Sequence, residues 1–474
     1  MVFASCTHER RNGGHVRVGD HGFTIDGRSY YPLFVNYGLS TRCSNDSVWV
    51  CPGLDYYVGP PEHRPNASTD LLAIKADMEL MRDMGFNGVR LVGVGEVLVE
   101  EGVGHIRSQT LNLRDTLLPL SNEVTRRQRV DGIANVVDMA REVGLHVVLT
   151  VYLHPEEPVT EVHFIDLADR FRDDTVIMAY DLFNEPLYFE KPENKKQVVD
   201  AMTERWRRLT NEYAPNQLTT IGLTGVREVF EWDPNRLLVD FVSFHPYEYE
   251  PDQVRNEMRW YAENMHVPWI IGETAIPADG DSVPYEQQRE FAERTLHQAR
   301  ACGAWGYTWW QYKDVFWHYF HSDYMGVVDR KDSTRTSGGH MVQGTVKPVA
   351  QAFRSFNPDA EPGECLCLKN YFNYSDCHTA RLTGRLVDDD GNPVRSGLII
   401  AWNETWSRSY HTVTKDDGGF ELDGGFYFHH WMASATDHSM VRGECAPSGY
   451  IADTRNVPTY YLGELIIDRL PPHH

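Results

Sequence analysis

Two glutamates stand out by their surroundings. Glu185 follows an apolar run in Tyr180-Asp181-Leu182-Phe183-Asn184-Glu185-Pro186. Glu273 stands in the same relation to a second run, Pro268-Trp269-Ile270-Ile271-Gly272-Glu273-Thr274. A lone glutamate after a strand is ordinarily half of a surface ion pair, so their companions matter. Asn184 adjoins Glu185, and Arg90 ends Gly88-Val89-Arg90-Leu91. His245 and Tyr247 sit in Phe244-His245-Pro246-Tyr247, Trp309 and Trp310 end another run, and His154 lies in Tyr152-Leu153-His154-Pro155. Two carboxyls held a few ångströms apart repel, which raises one pKa and sets a proton donor beside an ionised nucleophile.

That chemistry suits cleavage of an acetal. One group protonates the departing oxygen while the other attacks the anomeric carbon, which requires carboxyls about 5–5.5 Å apart. Arg90 is expected to hold the nucleophile ionised through a charge-assisted bond. Tyr247 is expected to orient that carboxylate, and His245 to fix a substrate hydroxyl or the acid. Trp309 and Trp310 offer an indole floor for the apolar face of a sugar ring. His154 is the weakest member of the set. Alone, each of these supporting residues would more often be packed core.

Residues so far apart in sequence need a scaffold that brings strand ends together. Short β-branched runs alternate with longer helical patterns through about the first three quarters of the chain, which argues for parallel strands with crossover helices. Val16–Tyr31 reads as a hairpin turning at Asp26-Gly27. Eight strands follow: Leu33–Tyr37, Gly88–Val92, His146–Tyr152, Ile177–Phe183, Leu218–Leu223, Phe241–Phe244, Trp269–Gly272 and Trp305–Trp309. Ser68 or Thr69 is expected to cap the first helix, and Leu39 to Ser68, with Trp49, Tyr56 and Tyr57, to form a long loop walling the cleft. The fold class expected is α/β, a (β/α)₈ TIM barrel, whose strand C-termini share one face. Glu185 then ends the fourth strand and Glu273 the seventh. An open doubly wound sheet would carry a glycine-rich phosphate turn after its first strand; Asn36-Tyr37-Gly38-Leu39-Ser40 is not one.

Composition shifts after Phe356. Asn357-Pro358-Asp359-Ala360-Glu361-Pro362-Gly363 reads as a linker, and short strands with frequent turns follow it. The division expected is 1–358 for the barrel with its hairpin, 359–378 for the linker, and 379–474 for a small antiparallel β-sandwich. A formal net charge of -23 disfavours nucleic acid as a partner. No apolar run is long enough to span a bilayer, and oligomeric state is not legible. Met-Val-Phe-Ala-Ser-Cys at the start resembles the tail of a lipoprotein signal, which would make Cys6 a lipidation site in a longer, secreted or periplasmic precursor; chance similarity is the preferred reading, and the compartment, cytoplasmic included, stays open. Eight cysteines are too few for a disulfide scaffold in 474 residues. Cys43 and Cys51 are near enough to bridge, and Cys365-Leu366-Cys367 lacks zinc-knuckle spacing, so no structural metal is expected.

The ordered set Asn184-Glu185-Pro186, Arg90, His245-x-Tyr247, Ile271-Gly272-Glu273 and Trp310 resembles glycoside hydrolase family 5, the cellulase and mannanase family within the clan A retaining glycosidases. The resemblance runs from about Gly22 to Phe356 and includes Lys347-Pro348-Val349-Ala350-Gln351-Ala352-Phe353 as a closing helix. It implies net retention, no cofactor, a carbohydrate substrate, and Asn184 on the sugar 2-hydroxyl. His154 matches the third-strand histidine of that family loosely, and Thr274 stands where many members carry an aromatic residue. Thr383 to Leu422 is similar to carboxypeptidase regulatory-like, transthyretin-like domains; Trp402, Trp406 and Trp431 there are expected to pack against the barrel rather than bind sugar. Two other readings share these residues: a carbohydrate-binding protein on a decayed barrel, and a transglycosylase. The intact carboxylate pair with its companions argues against the first.

Overall fold

The computed structural model describes residues 14–44, 47–53, 56, 66–110, 115–154, 157–188, 190–373, 375–445, 450–452 and 457–473. Eight parallel strands close into a barrel: β1 (Leu33–Ser44), β2 (Gly88–Val92), β3 (His146–Thr150), β4 (Ile177–Asn184), β5 (Leu218–Leu223), β6 (Val242–Phe244), β7 (Trp269–Ile271) and β8 (Tyr307–Trp309). Pairing of Tyr307, Thr308 and Trp309 with Leu33, Phe34 and Val35 completes the ring. Helices α1 (Ala67–Asp83), α2 (Glu123–Val143), α3 (Val159–Phe171), α4 (Lys196–Tyr213), α5 (Gln253–Asn264) and α6 (Tyr285–Ala301) surround it, with a closing helix at Ala350–Ser355.

The ends of these helices follow capping chemistry. Asn66, not Ser68 or Thr69, caps α1: its side chain accepts from the Ser68 and Thr69 amides. Thr69 is the third helical residue and returns a bond to the cap amide, a reciprocal capping box. The α2 helix stops at Gly144 in the left-handed conformation. At the strand N-terminal end, Val16 and Phe23 from the hairpin plug the lumen against Phe34, Val148, Phe241 and Ile270. The hairpin turn puts Asp26 and Gly27 both at positive φ, 51° and 73°, the requirement of the tight two-residue turn read from the sequence.

The segment after Tyr37 differs from a plain loop. The β1 strand runs on past the barrel rim and pairs antiparallel with Ser47–Pro52. Trp49 turns from the cleft and donates to Asp70 Oδ2 at 2.8 Å, Tyr56 is buried, and Tyr57 lies outside the described residues. An unforeseen insertion follows β2, with strands at Leu98–Glu100, Val103–Thr110 and Asp115–Pro119.

Past the barrel, two four-stranded sheets face each other. One has the order β12–β9–β16–β15, with β9 at Ala380–Asp388, β12 at Gly419–Gly424, β15 at Tyr450–Ala452 and β16 at Pro458–Ile467. The other has the order β11–β10–β13–β14, with β10 at Leu398–Trp402, β11 at Ser409–Val413, β13 at His430–Ser434 and β14 at Val441–Glu444. Pairing is antiparallel except between β9 and β16, which run parallel.

The second sheet is apolar on both faces. Ile399, Ala401 and Ala433 fill the space between the sheets, whereas Leu398, Ile400, Trp402, Val413 and Met432 join the core of the barrel. Trp406 meets Trp402 edge to face at 5.0 Å, and Trp431 packs against the inter-sheet core. Polar bonds fix the same interface: Lys196 Nζ donates to Asp233 Oδ2 at 2.8 Å and to the Ala435 carbonyl at 2.7 Å, and Trp260 Nε1 to the Ser396 carbonyl at 2.8 Å. The disulfide joins Cys302, at the end of α6, to Cys365. Cys43 and Cys51 are both free: the hairpin register pairs Cys43 with Val48 and Cys51 with Ser40, keeping the thiols apart. Cys6 lies outside the described residues. Among the described residues no helix is long and apolar enough to cross a membrane.

Candidate active site

Strand alternation decides which side chains enter the lumen. Asn36 on β1, Arg90 on β2 and Asp181 on β4 meet there, and Arg90 holds them together. Its Nη1 donates to Glu273 Oε1 at 2.6 Å and to Asn36 Oδ1 at 2.9 Å. Its Nη2 donates to Asp181 Oδ2 and to Asn184 Oδ1, both at 2.7 Å, and its Nε to Asp181 Oδ2 at 2.9 Å. Burial acts against this guanidinium charge, but Asp181 and then Glu273 outweigh it and raise its pKa. Asn36 also fastens the far strands, donating to the carbonyls of Gly272 at 3.0 Å and Trp309 at 3.2 Å.

Glu273 is buried and receives a second donor, the Tyr247 hydroxyl, at 2.8 Å from Oε2. Burial raises its pKa, while His245, Arg90 and the Tyr247 bond oppose the rise and Glu185 adds to it. Glu185 follows β4 with φ of 51°, a left-handed geometry that costs a non-glycine residue on the order of 1–3 kcal/mol. Its amide is held by the Gly222 carbonyl at 2.8 Å. Burial is the main reason that the Glu185 pKa rises to about 7, with Arg90 and Arg227 opposing. One carboxylate oxygen of each glutamate and a ring nitrogen of His245 all lie within 4.8 Å of one another.

His245 sits between the two, its Nδ1 2.9 Å from Glu185 Oε1 and 3.7 Å from Glu273 Oε1. Burial lowers its pKa to about 4, so the ring is neutral at neutral pH. Two glycines make room for it. A Cβ at Gly222 would lie 2.5 Å from its Cε1, and one at Gly272 would lie 2.7 Å from its Nε2.

The sequence-read residues thus divide. Glu273, Arg90, Asn184 and Tyr247 form one hydrogen-bonded network, and the hydrogen-bonded pair Glu185 and His245 stands against it, 3.7 Å from Glu273. Trp310 lines a neighbouring cavity of about 470 Å³ with Tyr56, Glu96 and Trp317; the two indoles stand 6.5 Å apart. Trp309 points outward from the barrel: it packs on Phe291 and Phe353 and donates to the Met325 carbonyl at 3.0 Å. His154 packs with tilted rings against Tyr152 and Phe183, at centroid distances of 5.6 Å and 6.2 Å. Sequence reasoning missed Asn36 and Asp181. The available signal was a polar residue inside an otherwise apolar, doubly covered strand. It also missed Arg227, on the 3₁₀ turn Val226–Phe230 after β5, where no apolar pattern marks it.

Glu185, His245 and Glu273 offer three donors close enough for one cation, yet Glu273 already faces the guanidinium of Arg90. A buried acid with its pKa near neutrality beside a second carboxylate paired with a cation is an arrangement able to donate a proton and supply a nucleophile together.

No curated protein matches the chain in sequence. Solved structures similar to it include the FMN-binding β-glucuronidase from Facaelibacterium prausnitzii L2-6, at 12% identity and TM-score 0.46, covering 94% of this chain and 59% of that one. Bifidobacterium dentium β-glucuronidase complexed with coumarin-3-O-glucuronide is 14% identical, with TM-score 0.47, covering 72% of this chain and 48% of that one. The endo-1,4-β-mannanase from Rhizomucor miehei is 15% identical, with TM-score 0.44, covering 63% of this chain and 90% of that one. The chain spans about half the length of the β-glucuronidases it resembles. Residues 61–314 match the family model for cellulase, glycosyl hydrolase family 5. The chain belongs to glycosyl hydrolase family 5.

Proposed function

We propose that this glycosyl hydrolase is a retaining β-glycosidase that cleaves β-linked oligo- or polysaccharides by double displacement, with Glu273 as nucleophile and Glu185 as acid/base. The observation that carries the reading is the close approach of two unlike carboxyls, with oxygens within 4.8 Å. That spacing favours direct attack, since inversion through water needs carboxyls roughly 6.5–9.5 Å apart. The β-linkage rests on the family.

In the first half-reaction Glu185 gives its proton to the leaving oxygen. Glu273, kept ionised by Arg90 and aimed by Tyr247, attacks the anomeric carbon. In the second, Glu185 takes a proton from water as that water displaces Glu273. Asn184, its oxygen held by Arg90 Nη2, keeps its NH₂ for the sugar 2-hydroxyl. His245 orients Glu185, Trp310 floors the ring, and Trp309 and His154 support the site by packing. The proposed division of labour gives residues 1–358 to the catalytic barrel, 359–378 to a linker, and 379–474 to a sandwich similar to carboxypeptidase regulatory-like domains.

Proton NMR during early hydrolysis tests the stereochemistry: the β anomer is expected first, and first release of the α anomer would overturn the mechanism. Azide tests the roles. Glu185→Ala with an activated glycoside is expected to yield a β-glycosyl azide, because the small anion replaces the missing base once a glycosyl-enzyme has formed. Rescue of Glu273→Ala with an α-azide product would exchange the two assignments.

A further inference from the structure

We infer that the sandwich completes the active site: Ser409 and His411 on β11 form part of the wall that binds the leaving group, a sugar unit of the β-linked chain. This rests on the reading of Glu185 as the acid.

A cavity of about 150 Å³ opens beside Glu185. The barrel contributes Tyr188, Arg227 and Tyr247 to its lining, and the sandwich contributes Ser409 and His411. Trp310 lines the other cavity, not this one. The acid delivers its proton to the oxygen that departs. The space that Glu185 shares with the sandwich therefore faces the departing unit, and the space at Trp310 faces the sugar that becomes bonded to Glu273.

The register of the sheet explains why these two side chains reach the cavity. Ser409 pairs with Trp402, His411 with Ile400 and Val413 with Leu398. Residues opposite each other across an antiparallel pair share a face, and Leu398, Ile400, Trp402 and Val413 all enter the barrel core. Ser409 and His411 are thus the polar members of an apolar, barrel-facing surface, placed where that surface borders the cavity.

Their chemistry suits a sugar. Burial and the nearby Arg227 lower the His411 pKa to about 3, so its imidazole is neutral, with one donor and one acceptor nitrogen. The hydroxyl of Ser409 both donates and accepts. Arg227, which donates to the Tyr188 carbonyl at 3.0 Å, adds a cationic donor. Tyr188 and Tyr249, 44% and 77% exposed, give the rim flat faces for a pyranose.

The test compares full-length wild type with Ser409→Ala and Ser409→Trp on two substrates of the sugar that a nitrophenyl glycoside screen finds cleaved fastest. One substrate is the β-linked disaccharide, whose leaving group fills the cavity. The other is the β-glycosyl fluoride, whose leaving group is a single atom. The ratio of disaccharide to fluoride kcat/KM is expected to fall about five-fold in Ser409→Ala, the worth of one hydrogen bond, and more than 100-fold in Ser409→Trp, which fills the space. An unchanged ratio in both variants, whether the absolute rates fall together or stay put, would overturn the inference. Its failure is separable from that of the mechanism, because the wild-type anomer NMR is independent of Ser409.

Discussion

Arg90 is the residue at which the charges of the site balance. It is almost wholly buried and bonds Asp181, Glu273, Asn36 and Asn184 together. Arg90→Lys keeps the charge but loses the planar fork that reaches four acceptors. We expect kcat/KM to drop by about three orders of magnitude, and stability by about 3–5 kcal/mol if buried carboxylates lose their partner, read by kinetics and thermal melts. The pH profile belongs to the same scale. The proposed mechanism needs Glu185 protonated and Glu273 ionised. With Glu185 raised to about 7, kcat/KM should fall as pH rises past neutrality. With Glu273 raised above the ordinary glutamate value, it should fall again on the acid side. The two limbs report the pair rather than either residue alone. Glu185→Gln, assayed on a glycosyl fluoride that needs no proton, should lose the alkaline limb; its persistence would assign that limb elsewhere.

At the scale of elements, the site depends on strands whose alternation places polar residues inward at one level and glycines beside them. Gly222→Ala should push the His245 ring off Glu185, since the added methyl would meet that ring first, 2.5 Å from its Cε1. We expect at least a 100-fold loss in kcat with the fold retained, checked by circular dichroism; full activity would show that His245 has no positioning role. Much of this level was legible in sequence. Gly88–Val92 and Leu218–Leu223 are the observed strands to the residue, because each is a short run rich in β-branched and apolar residues with sharp ends. Glu185, Glu273 and Tyr247 were visible because each sits just past such a run, and Arg90 because it is the one charge inside Gly88–Val92. The insertion after β2 was not visible: its strands Leu98–Glu100 and Asp115–Pro119 alternate exposed and half-buried residues, and Val103–Thr110 carries no apolar run. Asn36 and Asp181 escaped because no spacing in the sequence links them to Arg90; only barrel closure brings them onto it.

For the whole molecule, the sandwich and the barrel share a core. A chain ending at Pro358 should leave uncovered the barrel surface that Leu398, Ile400 and Met432 bury. We expect it to melt lower and to bind hydrophobic dye, and a melt equal to wild type would show the two units to be independent. The Cys302–Cys365 bridge spans a sequence separation of 63 residues. Loop-closure entropy at that length is worth about 4 kcal/mol. Cys302→Ser with Cys365→Ser should therefore lower Tm without altering kcat, because the bridge lies at the α6 end rather than beside Glu185 and Glu273. Insensitivity of Tm to both reduction and substitution would count against a stabilising role.

The doubly buried strand β10 has a consequence for descent. Most sandwich strands show one face to water and tolerate change there, but Leu398-Ile399-Ile400-Ala401-Trp402 is enclosed on both sides. Every position on it answers to two neighbours at once. Among relatives that keep both halves, this strand should vary as slowly as the strands of the barrel, and a lineage that lost the sandwich should show new polar residues on the barrel surface it once covered.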